Sequence, residues 1–327
     1  LENKKIDFLI GTHALFQKTI LFKKLGLIII DEQHKFGVQQ RIKFAKKGGV
    51  NCDVLLLSAT PIPRTMMMSI YGDMDSSKLT EKPLHRQKIL TLSKPENKIN
   101  DLWPFLEKKI KNREQIFWVC PLIEDSKKLD FSSTKKTFEI VNKKFPKKVG
   151  FIHGSLDQEE KDKVLKKFLN NEISILVSTT VIEVGIDFPN ATAIIIENSN
   201  KFGLAQLHQL RGRIGRGDKS GTCILLFKNQ LSQNAKTRIQ ILKKSDDGFY
   251  IAEEDMKLRG YGDIVGFKQS GIKLFKLADP VHHADLFELA EQNINNLNID
   301  KLNSPEYKFL LKLFDKVDLI DEERVSS

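Results

Sequence analysis

Three arginines alternate with three glycines over residues 211–217, as Arg211, Gly212, Arg213, Gly215, Arg216 and Gly217. Arginine stays charged at any physiological pH and offers a planar fork of donors that grips phosphate oxygens in pairs. Glycine lets a backbone pass close to another surface. Together they point to phosphate chemistry, with Arg213 and Arg216 as the candidate phosphate-reading side chains. A second group is acidic. Asp31 and Glu32 end an apolar run, with His34 two residues on. A carboxylate at a strand tip can hold Mg²⁺, usually through water, and its neighbour can orient or deprotonate an attacking water. Paired acids after a strand are also ordinary turn residues, so their weight comes from company. Ser58, Ala59 and Thr60 end another run, and Ser178, Thr179 and Thr180 end a third, where hydroxyls suit phosphate oxygens. Gly11, Thr12 and His13 close a fourth run, and His153-Gly154 a fifth. For His153 a satisfied turn histidine is an equally good reading.

Positioning these groups falls to apolar runs at 6–11, 25–30, 54–57, 88–92, 115–119, 149–152, 173–177, 191–196 and 221–227, each read as a strand. Continuous Ile, Leu and Val runs are what parallel strands covered on both faces look like. Ligands of such sheets sit at the carboxyl ends of the strands, where the polar residues above stand. Helices are expected at 98–111, with Pro104 near the start, at about 132–144, at 157–170 and at 251–258. The acidic opening of the third suits its positive end. Its lysines, Lys161, Lys163, Lys166 and Lys167, read as a solvated face. The fold class expected is α/β with parallel sheets.

The 327 residues suggest two domains. A surplus of 53 Lys and Arg over 42 Asp and Glu, net +11, favours a polyanionic partner such as nucleic acid, although a lysine-rich genome gives the same excess. The three cysteines are far apart with no CxxC, which argues against a zinc site or a disulfide framework and fits a reducing cytoplasm. No apolar run approaches the ~20 residues of a membrane span, and no leader is expected. The chain starts Leu1-Glu2-Asn3 rather than with Met, so a fragment is expected. Met66–68 reads as core filling, and His282-His283 as surface.

DEQH at 31–34, SAT at 58–60, STTVIEVGID at 178–187 and QLRGRIGR at 209–216 resemble motifs II, III, V and VI of superfamily 2 helicases. Longer stretches at 31–41, 58–77, 119–126 and 200–217 are similar to the bacterial RecG branch-migration helicases. Residues 247–271 resemble the TRG motif shared by RecG and the transcription-repair coupling factor, and YGDMD at 71–75 leans towards RecG. The resemblance implies RecA-like motor domains, ATP and Mg²⁺ as cofactors, and branched DNA (forks, Holliday junctions) as partner. It implies that Asp31 holds Mg²⁺, that Glu32 activates water, and that Gln209 senses the nucleotide. Arg213 and Arg216 would reach the γ-phosphate. His34, Ser58, Ala59 and Thr60, with Arg259 and Gln269 in the TRG-like stretch, would couple hydrolysis to motion. Gly11, Thr12, His13, His153, Gly154, Ser178, Thr179 and Thr180 would contact nucleic acid.

The sequence contains no Gly-Lys, hence no G-x-x-x-x-G-K-[ST] loop to cradle a triphosphate. The expected organisation is therefore a carboxyl-terminal part of motor domain 1 at 1–82, a complete motor domain 2 at 83–240, and the coupling hairpin with a mainly helical tail at 241–327. The wedge domain and the rest of domain 1 would come from a missing amino-terminal part, and this chain alone is expected to hydrolyse no ATP. Two alternatives stand beside this: a coupling-factor-like translocase, and a truncated, non-catalytic DNA-binding module.

Overall fold

The structure is a computed structural model that describes residues 6–17, 20–32, 52–58, 75, 77–81, 87–121, 127–179, 187–228, 230–259, 283–297 and 303–313. The chain forms two compact units, Leu1–Pro61 and Ile62–Ser327. In the first, β1 (Leu27–Ile30) and β2 (Asp53–Leu56) pair in parallel with Ile28 opposite Val54 and Ile30 opposite Leu56. Side chains alternate across a strand. Ile28 and Ile30 are accordingly buried among Leu15, Phe22, Leu25, Val54 and Leu56, while Leu27, Ile29 and Leu55 face outwards. The expected strand at 6–11 is a correction: these residues form no regular structure, with Ile6, Phe8 and Ile10 exposed. An apolar run becomes a strand only where a neighbouring strand takes up its backbone N–H and C=O groups, and none among the described residues lies beside it. A short 3₁₀ turn, His13–Phe16, follows.

The second unit holds a six-stranded sheet, all parallel, in the order β3-β8-β7-β4-β6-β5. Its strands are β3 (Ile89–Pro95), β4 (Gln115–Val119), β5 (Val149–Ile152), β6 (Ile175–Ser178), β7 (Ala191–Ile196) and β8 (Gly221–Phe227). Every residue of β4, β6 and β7 is buried, as a sheet covered on both faces requires. The alternation of side chains sorts them between two cores. Ile116, Trp118, Ile175, Val177, Ala193 and Ile195 pack with Leu106 of α1 (Trp103–Lys111) and with Val141 of α2 (Lys127–Lys144). Phe117, Val119, Leu176, Ile194 and Ile196 pack on the other face. They meet Phe168 of α3 (Gln158–Leu169), Leu207 of α4 (Leu204–Arg211), Leu242 of α5 (Gln233–Lys244) and Ile251 of α6 (Gly248–Arg259). The sheet is thus wound on both sides, the α/β class expected from the runs.

The helix expected at 98–111 is two pieces, a 3₁₀ stretch at Glu96–Leu102 and then α1, with Pro104 in the first turn of α1. Proline has no N–H and a φ suited to that first turn, so it marks the start rather than interrupting the helix. Asp157 caps α3 by accepting from the Glu160 N–H at 2.7 Å. Lys163, Lys166 and Lys167 are exposed, and Lys161 reaches the Gly154 carbonyl at 3.4 Å. α4 and α5 had no clear sequence signature, although Ser232 does cap α5. Two further helices, α7 (Ala284–Asn295) and α8 (Pro305–Leu313), belong to the tail. Among the described residues no helix is long and apolar enough to cross a membrane. Residues 66–68 and His282 lie outside the described residues.

Candidate functional site

The register of the large sheet brings its polar strand ends to one edge. Val119 pairs with both Ser178 and Ile196, Ile152 with Ser178, and Ile196 with Leu225. Ser178-Thr179, His153-Gly154 and residues 197–200 therefore leave the sheet together on its carboxyl edge. Ser178 is 0% and Thr179 2% exposed, and neither hydroxyl has a hydrogen-bond partner among the described residues. A buried hydroxyl left unpaired costs about 1–3 kcal/mol. The His153 ring lies 5.0 Å from that of Phe151. Burial, reinforced by Lys161 and opposed by Glu160, lowers its pKa. That direction favours the neutral imidazole. Gly154 has open space around its Cα.

Next to these, Glu197 accepts from Trp118 Nε1 at 2.9 Å, from Thr137 Oγ1 at 3.1 Å and from Cys120 Sγ at 3.5 Å. Burial holds its carboxyl above the usual range, with Glu96 adding to the effect and those donors opposing it. Nothing in the sequence marked Glu197, since it ends an apolar strand much as any turn acid does. Arg238 of α5 donates to the carbonyls of Asn200 and Phe202, which fastens the turn leading into α4.

α4 carries the arginine–glycine loop. Gln206 caps it by accepting from the Gly203 N–H at 3.0 Å, and Gln209 is half-buried on it. The three arginines have different surroundings. Arg211 is 3% exposed; its Nη1 donates to the Leu242 carbonyl at 2.7 Å and to that of Ser245 at 2.9 Å, and its Nη2 meets His208 Nδ1 at 2.9 Å. It closes the end of α5 and is a structural residue. Arg213 is half-buried in the turn after α4, with its N–H on the Leu210 carbonyl. Arg216 is exposed. Its Nε donates to the Gly212 carbonyl at 3.1 Å, and its Nη1 lies 3.5 Å from Asp187 Oδ1. Gly215 has φ +67°, a left-handed conformation that suits glycine, and its N–H bonds the Ala191 carbonyl. A Cβ on Gly217 would stand 2.6 Å from the Pro189 carbonyl oxygen. Two of the loop's glycines thus have definite backbone reasons.

In the first unit, Asp31 is exposed at the tip of β1 and its Oδ1 accepts from the Glu32 N–H at 2.8 Å. Glu32 is half-buried with φ +49°, a sparsely populated conformation for a glutamate. Strained backbone of this kind gathers at functional sites. Asp31, exposed and held by its own neighbour's N–H, fits a water-mediated hold on Mg²⁺. Ser58 is half-buried just past β2. Thr12 stands before the 3₁₀ turn that His13 begins, with no capping bond from its side chain, and a Cβ on Gly11 would press on Leu15 at 2.9 Å. His34, Ala59, Thr60, Thr180 and Gln269 lie outside the described residues, as does the side chain of Arg259, the last residue of α6.

Residues 97–218 match the family model of the helicase conserved C-terminal domain. Residues 245–320 match that of the ATP-dependent DNA helicase RecG, domain 3, C-terminal, and residues 1–69 that of the DEAD/DEAH box helicases. The chain is similar to the ATP-dependent DNA helicase RecG of Thermotoga maritima (45% identity, 94% of this chain, 39% of the relative). It is also similar to those of Bacillus subtilis (44%, 98% and 48%) and of Escherichia coli K12 (44%, 84% and 40%). It spans less than half the length of these curated relatives. Among solved structures, RecG bound to a three-way DNA junction superposes with a TM-score of 0.66 at 43% identity, over 88% of this chain and 37% of that one. A single-residue variant of yeast Dbp5 bound to RNA and ADP BeF3 (TM-score 0.50, 18% identity, 76% of this chain and 65% of that one) shares the fold.

Proposed function

We propose, from the premise that this chain belongs to the RecG-type helicases of superfamily 2 and corresponds to their C-terminal region, that the full-length protein is an ATP-driven DNA motor remodelling forks and Holliday junctions. The observation that carries this reading is the arginine loop. Arg216 stands outside the core on a loop fixed by Gly215 and Gly217, while Arg211 is spent inside the fold. In phosphoryl transfer an enzyme works by placing positive charge where negative charge develops, and an arginine so placed is worth roughly 10³–10⁵ in rate. Arg216 and Arg213 have that task here, with Gln209 reporting nucleotide occupancy. Asp31 would hold Mg²⁺, which when bound neutralises phosphate charge, and Glu32 orients the attacking water. The DNA backbone is taken up by the hydroxyls of Ser178 and Thr179, by Thr180, and by His153-Gly154. Gly11, Thr12 and His13 add contacts from the first unit.

Coupling is assigned to His34, Ser58, Ala59 and Thr60 and to the stretch containing Arg259 and Gln269. Residues 1–82 then serve as part of motor domain 1, residues 83–240 as motor domain 2, and residues 241–327 as coupling segment and tail. The match of residues 245–320 to a RecG domain supports this reading over a coupling-factor-like translocase. The test is DNA-stimulated ATPase and three-way-junction unwinding by the full-length protein. Arg216→Ala is expected to lower kcat about 10³-fold with the KM for ATP little changed, because the residue acts mainly in the transition state. Weakened ATP binding at unchanged kcat would make Arg216 a structural arginine instead.

A further inference from the structure

We infer that Asp187 is a positioning residue for Arg216, a reading that rests on the role proposed for that arginine. The Arg216 guanidinium is held on two sides, Nε on the Gly212 carbonyl at 3.1 Å and Nη1 on Asp187 Oδ1 at 3.5 Å. Its third nitrogen, Nη2, has no partner among the described residues. The side chains are 37% and 61% exposed, and an ion pair that exposed contributes about 0–1 kcal/mol to stability. Its consequence is orientation. Without Asp187 the guanidinium keeps a single tether, at Nε, and sweeps the rotamers that a long exposed side chain favours.

The backbones that carry the pair are themselves locked together. The Gly215 N–H bonds the Ala191 carbonyl at 3.0 Å, and Gly217 passes so close to the Pro189 carbonyl that no side chain fits there. The turn at 187–191 and the loop at 212–217 therefore form one piece, with the carboxylate on one half and the guanidinium on the other. A pair this weak is easily given up to a partner of higher charge. A polyphosphate approaching Nη2 draws the guanidinium from a defined starting position, and after release Asp187 takes it back. Asp187 closes the same 178–187 stretch that opens with the unpaired hydroxyl of Ser178.

Two measurements test this. In the full-length protein, Asp187→Ala is expected to lower kcat for DNA-stimulated ATP hydrolysis by at least about ten-fold, with the KM for ATP changed less than about two-fold. Asp187→Glu should restore most of the rate, and Asp187→Ala should add nothing in an Arg216→Ala background, because the pair acts as a unit. Separately, in the chain labelled with ¹⁵N-arginine, the Nε–Hε signal of Arg216, identified by its loss in Arg216→Lys, should shift in Asp187→Asn. A normal kcat for Asp187→Ala while Arg216→Ala is inactive, or losses that simply multiply, would overturn the Asp187 assignment alone. A fully active Arg216→Ala would bring down the arginine's role and this inference with it. An Nε–Hε signal unmoved by Asp187→Asn would show that Asp187 does not hold the side chain.

Discussion

Arg211 and Arg216 are five positions apart, one ending α4 and the other on the loop after it, and they carry the same charge in different surroundings. The spacing of arginine and glycine suggested a phosphate-directed element, because those two residue types combine grip with close backbone approach. Which arginine turns inwards was also written in the chain, less conspicuously. Arg211 falls at the helical spacing of Leu204 and Leu207, the buried stripe of α4. Inside, it satisfies the last carbonyls of α5, where cationic donors are favoured. Arg211→Ala should therefore destabilise the fold by about 2–4 kcal/mol, since charge-assisted bonds vanish and two carbonyls lose a donor. Chemical denaturation would measure this, and a change under about 0.5 kcal/mol, typical of surface substitutions, would contradict it. Asp187 had no such signature. Only the fold shows that a loop distant in sequence brings Arg216 beside it.

At the scale of elements, the strands with both faces buried were the most legible, since continuous apolar runs have one stable destination. The expected 115–119, 149–152, 191–196 and 221–227 coincide with β4, β5, β7 and β8. The run at 6–11 misled because a strand is a property of pairs, and a sequence run does not announce its neighbour. α4 and α5 were obscured by mixed polar and apolar residues whose periodicity is weak over so few turns. One element junction has a clear pH signature. Glu114, just before β4, takes Lys109 Nζ of α1 at 2.6 Å, Asn112 Nδ2 at 3.3 Å and the hydroxyl of Thr192 in β7. Burial pushes its carboxyl up, but the bonds from Lys109 and Thr192 and the Lys109 charge outweigh this, and its pKa is lowered from 4.5. A lowered folded pKa means stability that is present above 4.5 and lost as the pH falls through the folded value. Glu114→Gln is expected to cost stability at pH 7 and progressively less below pH 4.5. A cost that stays constant down to pH 3 would show that the ionised form is not what matters.

Over the whole molecule, the net charge of +11 favoured only a polyanionic partner and the polar strand ends only a shared site; the motor reading came from the resemblance of 31–34, 58–60, 178–187 and 209–216 to helicase motifs. The division of stability between the two units was not legible, since β1 and β4 read as equally apolar runs. In the structure they differ sharply: β4 lies within a six-stranded sheet with both faces packed, whereas among the described residues β1 has a single strand partner and an outer row of exposed Leu27 and Ile29. That difference sets the timescale on which each part opens. Amide protons buried in β4, β6 and β7 should exchange with solvent only through opening of the large sheet, whereas those of Ile28 to Ile30 should be replaced through a local opening of far lower free energy. Hydrogen exchange followed by mass spectrometry would separate the two populations, and equal protection of β1 and β4 would refute the ranking. The acidic pair Asp31-Glu32 follows β1 in the first unit, and the arginines belong to the second. On gentle warming, this chain should lose the ordered backbone around its carboxylates well before that around its cationic loop.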